Sequence, residues 1–282
     1  MCGKTFKILR KQSGLTIDDA CQDICSHATL SRWENGKNCM PFDKVILLLQ
    51  RIDITIEEFV KACGLPPTNK SIKNVQIFYL HRDLPKLKEA VNQACEIYLY
   101  TNHSSKYYLR VAAIAANYYL FLTDKNILSL ELQEEFLAYI SHITYSNKNQ
   151  IDLFAQTTFL FNSEQSYKVC RKLLAKVQTI DSDSLTYRSI IVACINTLAK
   201  IVVTSPVLAK ELLSRLNKIE IPQLYSFLTI NLNFFNKVID YYRTGNDTDA
   251  LKILYSLVDV GLNNEAKYLL NILKKAEKIH IQ

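Results

Sequence analysis

The chain has 282 residues, room for two domains at about 100–200 residues each, and 49% of them are hydrophobic, which excludes a wholly disordered chain. Only six Gly and six Pro interrupt it, so helix is predicted nearly throughout, because both residue types break helices. The formal net charge is +7, but residues 1–60 carry eight basic and eight acidic side chains, so a nucleic-acid partner has to be argued from placement and not from total charge.

Residues 3–13 predict an amphipathic helix, with Phe6, Leu9 and neighbouring Ile8 on one side and Lys4, Lys7, Arg10 and Lys11 on a basic face. Gly14 ends it. Thr16 is placed to cap a second helix, with Asp19 three residues on to complete a capping box, and Ile17 and Ala20 toward the core. Ser26 caps a third helix that ends before Gly36. Its Leu30 and Trp33 point inward and His27, Ala28, Ser31 and Arg32 outward. Ala20, Leu30 and Trp33 fit the spacing of a helix-turn-helix, in which a small residue sits at the helix crossing and two apolar anchors follow. Ile24 stands where such motifs often carry Gly, which leaves the turn geometry open. Pro41 suits the first position of a fourth helix, and Thr55 with Glu58 forms a second capping box before a fifth. Five short helices with the reader third describe a compact repressor-like domain; an ordinary helical bundle is the alternative.

The run Gly3-Lys4-x-Phe6-x-x-Leu9-Arg10, then Leu30-Ser31-Arg32-Trp33-Glu34-x-Gly36-Lys37, then Ile54-Thr55-x-Glu57-Glu58-Phe59 resembles the N-terminal domain of Rgg-type regulators, within the Cro/repressor-like helix-turn-helix superfamily. Double-stranded DNA is the partner this implies. Arg32 is placed to read a guanine edge, with a phosphate contact as the alternative. His27 and Ala28 lie at the tip of the reading helix, where Ala28 meets a thymine methyl and His27 either reads a base or is simply solvated. Ser31 shares the outward face. Thr16, at a helix N-terminus, and Lys37 and Asn38, just past the reader, are placed for phosphates, with a merely solvated loop lysine as the alternative for Lys37. Glu34 ties the reading helix to its neighbours.

The domain organisation expected is 1–62 for DNA binding, 63–69 as a Pro-containing linker, and 70–282 as a TPR-like α-solenoid, giving an all-α protein. Helices are predicted over 70–81, 84–101, 105–121, 130–145, 149–160, 164–178, 184–203, 206–217, 222–243, 247–260 and 263–278, in pairs of 35–45 residues. The C-terminal half, with Asn246-Asp-Thr-Asp-Ala-Leu and Ala266-Lys-Tyr-Leu-Leu, resembles the degenerate tetratricopeptide domain of Rgg-type proteins. The resemblance implies a homodimer and a groove for a short hydrophobic signalling peptide. Adjacent aromatics at Tyr107/Tyr108, Tyr118/Tyr119, Phe234/Phe235 and Tyr241/Tyr242 cannot all face one core, so some are expected to line a groove or interface. Asn231, Asn233 and Asn236 are the candidate ligand residues, because Asn is a poor helix former and its amide pairs with peptide backbone.

Eight cysteines without a Cys-x-x-Cys spacing read as reduced thiols, with no metal site. There is no Gly-rich phosphate loop, and His142 with Tyr145 is an exposed pair, so no enzyme and no cofactor are expected. No run of about 18 uncharged apolar residues occurs, so a cytoplasmic protein with no membrane partner is expected. A ligand-independent helix-turn-helix repressor and a helical-repeat protein-interaction module are the other readings.

Overall fold

The computed structural model describes residues 2–64, 70–141 and 147–280; among them all regular structure is helical and no strand occurs. The expected end of the 130–145 helix, the His142–Tyr145 pair and linker residues 65–69 lie outside the described residues. The chain divides into two compact units, 1–73 and 74–282.

Unit 1 opens with five helices, α1 (Cys2–Gln12), α2 (Ile17–Cys21), α3 (His27–Glu34), α4 (Phe42–Arg51) and α5 (Ile56–Ala62). Both capping boxes form: Thr16 accepts from the Asp19 amide and Thr55 from the Glu58 amide, while each carboxylate accepts from the cap backbone. Pro41 is the residue before α4 and not its first helical residue, because its ψ of 142° is extended. Phe6, Ala20, Leu30, Trp33, Leu48, Leu49 and Phe59 form one core, with Phe6 and Trp33 rings 5.1 Å apart.

Two expectations for α1 are corrected. Ile8 is 58% exposed, since Phe6 and Leu9 already occupy the inward stripe. Arg10 leaves the basic face altogether. It is buried, and its Nε and Nη2 donate to the two Glu34 carboxylate oxygens at 2.6 and 2.8 Å, while Nη1 donates to the Leu15 carbonyl. The fork holds α1, the start of α2 and the end of α3 together, and the Glu34 hydrogen bond raises the Arg10 pKa against the effect of burial.

Unit 2 contains most of α6 (Lys70–Leu80), then α7 (Leu84–Tyr100), α8 (Lys106–Thr123), α9 (Leu130–Ile140), α10 (Lys148–Gln156), α11 (Ser163–Leu174), α12 (Leu185–Thr204), α13 (Pro206–Leu216), α14 (Ser226–Thr244), α15 (Thr248–Asp259) and α16 (Asn263–His280). The breaks follow the expected signals: Asp83 and Ser184 cap α7 and α12, and Gly245, at φ 68°, ends α14. α12 is long and apolar enough to span a membrane, yet it is the central helix, packed by α10, α11, α13, α14 and α16. α14 is likewise flanked by α12, α13, α15 and α16. Phe234 and Phe235 are therefore both fully buried, contrary to the one-core argument, because a helix packed on several sides buries adjacent positions; their rings meet edge to face, 5.5 Å apart.

Candidate functional site

Unit 1 presents its outward α3 residues on a rigid base. Ser26 accepts from the Thr29 amide and fixes the start of α3. Gly3 fixes the far end: a Cβ there would stand 1.9 Å from the Trp33 carbonyl oxygen, so the backbones of α1 and α3 touch where only glycine fits. The turn between α2 and α3 places its left-handed residue at Asp23, φ 57°, one position before Ile24, so no glycine is needed at 24. Arg51 holds that turn, donating to the Asp19 and Gln22 carbonyls and to the Asp23 carboxylate at 2.7 Å. The sequence pattern includes Gly3 in the family-like run but assigns it no packing role, and it gives Arg51 none.

On this base His27, Ala28 and Arg32 are exposed and Ser31 is half-buried. The side chains of Arg32, Lys37 and Asn38 have no hydrogen-bond or ion-pair partner among the described residues, and all three are in solvent; the Lys37 amide donates to the Arg32 carbonyl at 2.8 Å. Thr16 is also exposed, but its hydroxyl both accepts from the Asp19 amide and donates to the Asp19 carboxylate. The hydroxyl's bond to the carboxylate, and then the one from the Thr16 backbone amide, lower the Asp19 pKa. Arg32, His27 and Ala28 thus share one short helix, with Lys37 and Asn38 just after it.

In unit 2 the three candidate asparagines do not converge. Asn231 is 5% exposed and its amide donates to Phe227 of its own helix. Asn236 exchanges hydrogen bonds with Asn217 at 2.9 and 3.1 Å, and Asn233 is exposed. A different polar stripe crosses α8, α10 and α12. Lys200 donates to the carbonyls of Thr158 and Phe159 at 3.3 and 3.2 Å, and Asn117 accepts from the Phe159 amide. One turn before Lys200 on α12, Asn196 donates to Ala155. The buried Oε1 of Gln156, on α10, has no donor among the described residues. Two turns before Asn117 on α8, Arg110 lines a recess of about 210 Å³ with Tyr139, Asn147, Asn149, Gln150 and Leu153, and its buried Nε has no acceptor among the described residues. Burial lowers the Lys200 pKa to about 8. Beside the stripe, Phe121 packs on Phe159 and Tyr268, and Tyr79 stacks on Tyr118, with centroids 4.3–5.3 Å apart. None of the stripe was among the expected ligand residues.

Residues 6–59 match the helix-turn-helix family model. A search of curated proteins by sequence finds no match. Among solved structures, the chain superposes on the SHP pheromone receptor Rgg2 of Streptococcus dysgalactiae with a TM-score of 0.72 and 15% identity, covering 98% of this chain and 99% of that one. A candidate transcriptional regulator from Listeria monocytogenes gives 0.74 and 15%, covering 100% and 99%. PrgX in complex with cCF10 gives 0.68 and 13%, covering 97% and 99%. Residues 6–59 are therefore a helix-turn-helix domain, and the chain as a whole has the all-α fold of the Rgg- and PrgX-type regulators.

Proposed function

We propose that this chain is a cytoplasmic, sequence-specific DNA-binding transcription regulator in which residues 1–62 bind DNA. Residues 70–282 form a homodimer and bind a short hydrophobic peptide. The observation that carries the DNA half is the exposed α3 edge. Arg32, His27 and Ala28 project from a helix whose opposite side is locked by Leu30, Trp33 and the Arg10–Glu34 fork. For the peptide half, the carrying observation is the orphan Gln156 acceptor beside aromatic walls, a group that a peptide N–H satisfies. The solved relatives described as a pheromone receptor and as a complex with cCF10 support the same reading. We place the peptide on the Asn117–Gln156–Lys200 stripe in preference to Asn231, Asn233 and Asn236, whose amides are turned to different surroundings.

The experiment is selection of duplexes from a random pool by the full-length protein, followed by binding at fixed salt. The expected site has two similar half-sites about 10 base pairs apart or a multiple of that. Arg32→Ala is expected to lose about 1–3 kcal/mol of discrimination at one base pair per half-site. Trp33 fluorescence, from the only tryptophan, should stay unchanged. Wild-type specificity in that variant overturns α3 as the reader. A selected site without a repeat, together with a monomer by sedimentation, overturns the dimer.

A further inference from the structure

Arg110 and Lys200 are the two cations of the stripe, and neither has a carboxylate within ion-pair distance among the described residues. Both are only partly exposed. Lys200 spends two of its hydrogens on carbonyls at the long end of the hydrogen-bond range, and the buried Nε of Arg110 has no acceptor among the described residues. Elsewhere in unit 2, the half-buried cations among the described residues are matched: Lys106 faces Glu135, Lys148 faces Asp152, Lys237 faces Asp240 and Asp249, and Lys275 faces Asp124. A cation withdrawn from water without a counter-ion is costly, and an anion supplied from outside recovers that cost. The neighbouring groups are amides, a phenol and aromatic rings, with no acidic residue among the described residues lining the Arg110 recess.

We propose that this stripe selects peptides carrying a carboxylate among apolar residues, the carboxylate being taken by the Lys200 ammonium with Arg110 as the second cation. The inference rests on the peptide reading above and adds its charge requirement. A neutral hydrophobic peptide satisfies the aromatic walls and Gln156 but leaves both cations unmatched. The carboxylate is either an Asp or Glu side chain or the peptide's own C-terminus, and both present the same group to Lys200.

Affinity selection of full-length protein against two equimolar random heptapeptide libraries, one with free C-termini and one amidated, tests it, with retained peptides read by mass spectrometry. The wild type should enrich acid over amide, either Asp and Glu over Asn and Gln or free C-termini over amidated ones, by about tenfold, the size of one charge-assisted hydrogen bond. Enrichment confined to free C-termini assigns the terminal carboxylate; enrichment persisting in the amidated library assigns a side chain. Lys200→Met and Arg110→Met should each reduce the preference, and Lys200→Arg should keep it. If the variants fail to fold, the wild-type acid-over-amide preference decides alone. Peptides retained with no such preference overturn the charge requirement and leave the peptide reading standing. A preference that survives in both folded methionine variants overturns the assignment to these cations. No peptide retained from either library overturns the peptide reading and this inference with it.

Discussion

In unit 1 the buried charges Arg10 and Glu34 are closed on each other, and the unmatched cations Arg32 and Lys37 lie in solvent. In unit 2 the ion pairs are at the periphery, as in the Tyr98–His103–Lys106–Glu135 cluster, and the unmatched cations Arg110 and Lys200 are drawn into the stripe. The contrast follows from where each anion arrives. A duplex meets its reader in water, where a bare guanidinium costs little, and the reader must be rigid so that its few side chains keep register. A ligand enclosed by aromatic walls meets its partner in a poorly solvated place, where a lone cation becomes a selective group.

The rigidity of unit 1 can be broken most severely at Gly3. Gly3→Ala drives a Cβ into the Trp33 carbonyl, and two helix backbones cannot separate without opening the Phe6–Trp33 contact. The expected cost is about 4 kcal/mol or more, comparable to the whole stability of so small a unit. Urea unfolding followed by Trp33 fluorescence checks it, and a midpoint near that of wild type removes the close approach from the account. Glu34→Ala comes next. It leaves the Arg10 guanidinium buried without its carboxylate, at about 3–5 kcal/mol. Arg10→Met combined with Glu34→Leu should cost less than Glu34→Ala alone, because no charge is stranded. The reverse order would mean that the pair stabilises by its own attraction.

These two sites show what a sequence does and does not make legible. The caps at Thr16, Ser26 and Thr55 depend on a partner three residues away, so a local pattern finds them, and scarce Gly and Pro place the helices of unit 2 within a few residues. Gly3 and Arg10 act on partners thirty and twenty-four residues distant. Between Lys7 and Lys11, Arg10 reads as one more solvated charge. The outward face of α3 was legible because Leu30 and Trp33 fix what lies opposite. The stripe does leave a signal in the sequence: Asn196 and Lys200 are the large polar residues of an apolar run, four apart on α12. The paired aromatics are a poorer guide, because the rule that a helix has one core fails for the sandwiched α14.

The smallest effect is the one that separates the units by pH. Burial alone would raise the Glu135 carboxyl, but hydrogen bonds from Lys106, Tyr98 and His103 outweigh it and hold the group at about 2. A carboxyl depressed in the folded state contributes stability that is fully present above its unfolded pKa of about 4.3 and is lost as pH falls through the folded value. The window for unit 2 is therefore about pH 4.5 down to 2. With the side chain 29% exposed, solvent screening reduces the contribution to about 1–2 kcal/mol. The cluster ties α7, α8 and α9 together, so its loss should appear in the far-ultraviolet circular dichroism of unit 2 and leave Trp33 fluorescence in unit 1 to follow its own acid transition. Glu135→Gln keeps the shape and removes the titration. Thermal melts at pH 6, 4 and 3 should show the variant below wild type at pH 6 and the gap closing toward pH 3. A gap that stays constant across those three melts would assign the cluster a packing role with no electrostatic part.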